Sequence, residues 1–475
     1  MKKKKTGMWL VPCACAAALF FVEPAIATAQ TSLPEAPPAN FAATATPLPD
    51  AQVTKSANSA SVPQAGQHPS LTRAEAEQLA IKNNPRINVG KLIALAQHQV
   101  VRETRAAELP TLMGSITAVN AEEGSRISAG SLTASRLIPH AGAGANFTQL
   151  ITDFGRTSNL VASSKLQEKA QNANARATTE DIVLATDQAF YNALEAQALL
   201  KVAEQNVTTR QATETQVGEL TKNKLKSTLD LSFADVNLSQ AKLLLLDAQN
   251  NADSTMAALD AVLGLDHQVT YELVVTNATL QPPPPDADQL IQLGLQQRPD
   301  LQALNYRAQS ALKYSHAERD QMLPSISAAG TAGTVPVRSD QYYVTNWWGA
   351  IGVNMNIPIF NGFLYSAQAK EASIRAEAAS EQGRDLRDQI VRDIRTSWLS
   401  ANTAFQRVAV TSELLKEANL ALDLAKTRYQ MGLSSIVELS QAQYQQTDAA
   451  IGNTNAQYQY RLALATLNYQ TGTTP

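Results

Sequence analysis

The chain has only two cysteines, Cys13 and Cys15, and both fall inside a segment built to be removed. Lys2 to Lys5 form a basic start, Trp9 to Val22 a short apolar run, and Ala27-Thr28-Ala29 a small-residue cleavage site before Gln30. That order is a secretory signal peptide over residues 1–29. The apolar run is too short to span a bilayer and stops at Glu23 and Pro24. Pro12 and the very short apolar stretch ahead of Cys13 argue against lipid attachment there. Without cysteine, the mature chain has no disulfides, no thiol catalysis and no cysteine metal ligands. Histidines are also few: His68, His98, His140, His267 and His316 are scattered without metal-ligand spacing. The segment Ala141-Gly142-Ala143-Gly144-Ala145-Asn146 lacks the third glycine and the helix start of a dinucleotide loop. No nucleophile–base pair stands out, so we expect no enzyme, no cofactor and no metal site. Basic excess is lacking too. The net charge is −3, and loss of the signal, with four lysines and one glutamate, makes the mature chain more acidic. A nucleic-acid partner would want the opposite.

Long apolar runs are the last absence. Beyond the signal no stretch approaches the roughly 20 apolar residues of a membrane-spanning helix. An exported chain of this kind is either free in the periplasm or outside, or crosses the outer membrane as β-strands.

What is present is a duplication. Asn84-Pro85-Arg86 recurs as Arg298-Pro299-Asp300, and Leu109-Pro110 recurs as Leu323-Pro324 at the same displacement. Phe154-Gly155-Arg156 corresponds to Phe360-Asn361-Gly362-Phe363, Thr228-Leu229-Asp230-Leu231 to Ile436-Val437-Glu438-Leu439, and Gly264 to Gly472. A tandem repeat is the economical account. We therefore divide the chain into a signal (1–29), a disordered Pro- and Ala-rich leader (30–70), a first repeat (71–265), a linker containing Pro282 to Pro285 (266–285) and a second repeat (286–472).

Each repeat has the same order of patterns. A helix (86–108; 299–322) runs up to a Leu-Pro. A low-charge region with Gly, Ser and Thr follows (111–152; 325–359), then a very long helix (155–220; 362–430), a turn, and a closing helix (228–263; 435–470). In the second long helix, Leu386, Ile390, Ile394, Trp398, Ala401, Phe405 and Val408 are spaced by threes and fours. Leu415, Ala418, Leu422, Ala425 and Tyr429 continue the series, the seam of a coiled coil. The period changes in the low-charge region. Ile351, Val353, Met355, Ile357 and Ile359 alternate with Gly352, Asn354, Asn356 and Pro358, as in a strand with lipid on one side and water on the other. Trp347 and Trp348 stand where an interfacial aromatic belt is expected. Residues 325–335 supply a partner strand, and 111–120 and 142–151 play the same parts in the first repeat.

At about 1.5 Å per residue the long helices reach roughly 100 Å, and the two shorter ones of each repeat can stack beside them. Four strands cannot close a barrel, for which about eight is the smallest usual number, and open edges in lipid are costly. Several copies must then share one barrel. A ring of strands continuing into a ring of helices is a conduit. The competing reading is a soluble periplasmic coiled-coil scaffold or adhesin stalk, with the strands as a small sandwich.

The duplicated helix–strand–strand–long helix–helix unit resembles the outer membrane efflux proteins of the TolC family. The most specific motif runs Arg428-Tyr429-Gln430-Met431-Gly432-Leu433-Ser434-Ser435-Ile436-Val437-Glu438-Leu439 and is similar to the family's second periplasmic turn. Phe360-Asn361-Gly362 is a further hallmark. The resemblance implies a mainly α fold with a β-barrel part: a homotrimer with a shared twelve-stranded transmembrane barrel above a periplasmic α-barrel tunnel. It also implies a periplasmic adaptor and an inner-membrane transporter as partners, with drugs or metals as cargo, or proteins in a type I secretion duct. Tyr429 and Asp230 match a tyrosine and an acid that hold the family's tip shut, and Glu438 matches the first acid of its constricting ring. Ser434 stands at the gate arginine's position and Gln441 at the second acid's. Gly432, Leu433, Ser434 and Ser435, with Leu225, Lys226 and Ser227 in the first turn, match adaptor-docking positions. The first turn departs from the pattern with Lys224 for a glycine and Thr221 opposite Tyr429. On the residues alone, Gly432 reads as a left-handed helix end, and Ser227 and Ser435 as N-caps.

Overall fold

A computed structural model of the chain describes residues 70–120, 126–127, 135–136, 140–265, 271–274, 280–338 and 347–473. The signal peptide and all of the expected leader except Ser70 lie outside these residues.

Each repeat opens with two helices joined at a proline: α1 (Arg73–Asn83) and α2 (Pro85–Ala106) in the first, α5 (Ala287–Gln297) and α6 (Pro299–Asp320) in the second. Asn84 and Arg298, each just before a proline, are held in the extended region (φ −65°, ψ 123° and φ −60°, ψ 121°) and separate the pair. The proline then sits at the first helical position, where its missing N–H costs nothing. The short helices α1 and α5 were not foreseen, because eleven residues show too few turns for a clear period. Strand β1 (Ser70–Thr72) pairs in parallel with β6 (Glu272–Val274), so the linker contributes a strand to the start of the first repeat. Leu71, Ala76, Ala80, Phe190, Leu259 and Leu273 form the core beneath this pair.

The long helices α3 (Arg156–Lys222) and α7 (Leu364–Gln430) each contain 67 residues. Each is entered through two consecutive left-handed residues, Phe154 and Gly155 (φ 57° and 114°) or Gly362 and Phe363 (φ 64° and 65°), which turn the chain sharply out of the sheet. The closing helices α4 (Thr228–Leu263) and α8 (Ile436–Gln470) begin at the serine caps Ser227 and Ser435. Left-handed glycines follow them: Gly264 (φ 72°) caps α4, and Gly472 (φ 67°) lies just beyond the Thr471 cap of α8. In the half nearer the sheet, the helices pack in the order α2–α3–α6–α7; in the other half, α4–α3–α8–α7. The seam is rich in alanine, which lets backbones approach closely: Ala193, Ala203, Ala401 and Ala456 are fully buried. Ile390, Ile394, Ala418, Ala425 and Tyr429 are buried along the expected seam of α7.

Strands β2 (Thr111–Val119), β5 (His140–Thr152), β7 (Ser325–Arg338) and β8 (Trp347–Asn356) form one antiparallel sheet in that order. A two-residue pair, β3 (Arg126–Ile127) with β4 (Ser135–Arg136), lies between β2 and β5 in sequence. The strand expected to reach Ile359 ends at Asn356, because Pro358 has no N–H to continue a ladder. Among the described residues the sheet is open, with β2 and β8 as its two edges.

Candidate functional site: a two-faced sheet and a helical tip

Side chains directly opposite one another in a sheet share a face, so the register sorts the strands into two surfaces. Leu112, Phe147, Gly330 and Ile351 form one row, and Ile116, Ala143, Thr334 and Trp347 another, all on the apolar face. Ile116 and Ile351 are 89 % and 88 % exposed, so nothing among the described residues covers that face there. The rows between them are Met113, Asn146, Thr331 and Ala350, then Ser115, Gly144, Gly333 and Trp348. On this second face the Thr331 hydroxyl lies 2.7 Å from Asn146 Oδ1. Consecutive residues of a strand point oppositely, so the two tryptophans expected in one belt are divided. Trp347 shares the face of Ile351, Val353 and Met355, while Trp348 lies across the polar face.

At the far end of the helices, two turns close the chain. Both end their long helix with the same backbone pattern: Leu225 N–H donates to Leu220 O at 2.8 Å, and Leu433 N–H to Arg428 O at 2.9 Å. The left-handed residue is Gly432 (φ 73°) in one turn and Lys224 (φ 59°) in the other. A Cβ on Gly432 would meet no atom within 4 Å, so the glycine is there for its dihedral angle. Leu225 and Leu433 project into solvent, with Ser227 and Ser435 beside them at the helix starts. Ser227 and Asp230 form a reciprocal capping box on α4, and Ser435 Oγ accepts from Glu438 N–H at 3.3 Å on α8.

Tyr429 is 3 % exposed and packs with Val217, Ala234, Ile436 and Leu439, where the two repeats meet. The Lys226 ammonium lies 4.6 Å from its ring centroid. Among the described residues its buried hydroxyl finds no hydrogen-bond partner, and neither does that of Ser434. Burial, and secondarily the nearby Asp230 carboxylate, hold the Tyr429 phenol above its usual range. Asp230 thus meets Tyr429 through its charge, while its carboxylate accepts a hydrogen bond from Ser227 N–H at 3.3 Å. Glu438 is paired with Arg428 (3.1 Å), whose guanidinium also reaches Leu433 O at 3.5 Å. Arg428 therefore ties the second turn together, a role the motif contained but did not announce.

Two charge clusters, one buried and one partly exposed, carry no sequence signal of their own. Arg73 lies 3.3 Å from Glu77 and 3.1 Å from Asp187, and burial raises both carboxyls above their ordinary range. Arg298 binds Asp300 at 2.5 Å, and the Tyr469 hydroxyl meets Asp181 Oδ1 at 2.5 Å. Beside them Glu180 is pushed up to about 7 by burial and then by the Asp300 charge. Among the described residues no group of His, Cys, Asp or Glu could hold a metal ion, and no helix is long and apolar enough to cross a membrane.

A sheet with one apolar and one polar face, set on helices of roughly 100 Å, is the layout of a membrane channel with a long soluble extension. Residues 76–265 and 290–473 both match the family model described as outer membrane efflux protein. The chain belongs to that family, which is one of outer-membrane channels and not of enzymes. It is 23% identical to outer membrane protein TolC of Escherichia coli over 68% of this chain and 69% of that one. It is also 23% identical to outer membrane efflux protein BepC of Brucella suis, over 83% of each. Its fold matches the crystal structure of the Campylobacter jejuni CmeC outer membrane channel with a TM-score of 0.73, at 18% identity, over 84% of this chain and 85% of that one.

Proposed function

We propose that the chain forms a homotrimeric exit duct of a tripartite efflux pump, a passive conduit for small molecules that catalyses no reaction. In this reading a periplasmic adaptor and an inner-membrane transporter feed it. The repeats at 71–265 and 286–472 form the two halves of each protomer. The observation that carries the reading is that the protomer has two open edges at every level. In the sheet they are β2 and β8. Beside it they are α2, with Val89, Leu92 and Ile93 exposed, and α7, with Ile374 exposed. Toward the tip they are α4, with Leu229, Phe233 and Val236 exposed, and again α7, with Leu414, Leu420 and Leu424 exposed. Different edges on opposite sides make a head-to-tail contact, which forms a ring when the rotation between copies closes. Three copies would supply twelve strands, enough for a barrel with the apolar face toward lipid and the polar face inward.

Tyr429, Asp230 and Glu438 form the constriction at the tip, and Gly432, Leu433, Ser434 and Ser435, with Leu225, Lys226 and Ser227, the surface for the adaptor. The Lys226 contact to the Tyr429 ring supports a latch between the two turns in place of the family's arginine bond. In planar bilayers, Tyr429→Ala is expected to raise single-channel conductance severalfold over the wild type. Unchanged conductance would remove the gate role and leave the duct standing. Material that is monomeric and soluble without detergent would overturn the duct itself.

A further inference from the structure

We propose that Trp348 is a stacking platform for planar aromatic cations, placed inside the barrel near its outer end. This rests on the duct reading, in which the polar face of the sheet lines the bore. Trp348 stands in one row with Gly333, Gly144 and Ser115 on that face. A Cβ on Gly333 would come within 2.5 Å of the Trp348 ring carbon Cζ2 and 2.8 Å of Cε2, and one on Gly144 within 3.3 Å of Cζ2. The indole therefore lies across β7 and reaches β5, in a slot that only glycine leaves open. The ring sits close over these two glycines, and Trp348 is still 46 % exposed, so part of the indole is open to solvent.

The surroundings define what would bind. Strand segments 111–119, 141–152, 325–335 and 347–356 contain no Asp, Glu, Lys or Arg. Thr331, Asn146 and Ala350 in the adjoining row offer hydroxyl, amide and methyl groups without charge. In such a wall a flat π-face, negative over its centre, is the strongest handle available. It attracts cations, and it stacks best on planar rings. Anions gain nothing from it. A planar aromatic cation satisfies both terms, whereas an aliphatic cation of the same charge satisfies only one. Three copies would set three such platforms at one level of the bore, beyond the helical tip and separate from its gate.

The indole could instead serve only to cover two glycines in the sheet, and the test must separate these roles. In planar bilayers, N-methylquinolinium should interrupt the wild-type current, and its blocking affinity should fall by about five- to fiftyfold in Trp348→Ala, the cation–π and stacking contributions together. Block by tetraethylammonium should fall by only about two- to fivefold, the cation–π part alone, and Trp348→Phe should retain most of the aromatic block. Equal aromatic block in Trp348→Ala and wild type, or an equal loss for both cations, would overturn the platform while the pore remains. A second measurement uses Trp347→Phe/Trp398→Phe, in which Trp348 is the one remaining tryptophan of the mature chain. In liposomes its emission should be quenched by acrylamide in water and by N-methylquinolinium. Quenching by brominated lipid would place it on the wrong side and overturn the proposal. A wild type that forms no pores at all would overturn the duct reading, and the platform with it.

Discussion

Helices α3 and α7 have the same length, the same left-handed entry from the sheet and the same type of exit turn. Yet α3 packs against helices of both repeats on several sides and buries more than twice as many residues as α7. It even encloses acids: Asp187 is 3 % exposed, whereas Arg395 at the matching place in α7 faces solvent. The difference lies in location. The first long helix occupies the middle of the protomer, and the second lies at its edge, where Leu414, Leu420 and Leu424 are left uncovered. A single duplicated pattern thus serves both as a core and as one side of an interface.

That contrast can be broken at its strong end first. Phe190→Ala in α3 removes a ring that is 1 % exposed. It should cost about 3–5 kcal/mol, read as a large fall in the unfolding midpoint. Leu414→Asp in α7, 53 % exposed in the protomer, should leave helicity nearly unchanged and abolish the trimer in detergent, measured by size-exclusion chromatography with light scattering. If Leu414→Asp instead unfolds the chain, α7 is not an edge.

The exit turns sharpen the comparison at smaller scale. Gly432→Ala should destabilise by about 1 kcal/mol, since only the dihedral angle opposes the new methyl group. Lys224→Gly should stabilise by about 1 kcal/mol, because it relieves a left-handed lysine (φ 59°). Denaturant midpoints moving in the same direction would contradict the shared backbone pattern. The smallest effect concerns pH. The Glu180 carboxyl on α3 is raised from 4.5 to about 7, so the folded chain binds a proton more tightly than the unfolded one. Stability should therefore be highest below pH 4.5 as far as this group is concerned, and decline as pH rises through 7. Glu180→Gln should flatten that part of the midpoint-versus-pH curve.

Much of the architecture is legible in the sequence. Long helices announce themselves through many turns of a repeated period, and some helix ends through Ser227, Ser435 and Gly432, whose capping chemistry is local. The strands were legible from alternation, since the period of two is a property of the chain itself. Alternation also holds what was missed in Trp347-Trp348, because neighbours in a strand cannot share a face. Other features had no local signal. The Arg73–Glu77–Asp187 cluster joins residues far apart in sequence, and nothing near Glu77 says that α3 will bury it. The Lys226–Tyr429 contact likewise exists only because two turns from different repeats end at the same level. Arg428 was in view within the motif, but its bond to Glu438 needed the geometry of the turn.

By itself the sequence determined the repeat, the kind and length of each main element, and the two-sided chemistry of the strands, because these follow from periods and caps acting over a few residues. Only the tertiary structure decided which long helix is central and which is an edge, and which carboxyls are buried. It also decided that the Trp348 indole lies over Gly333 and Gly144. Those outcomes depend on which distant segments come together, and two copies of one pattern cannot encode locally which of them will be enclosed.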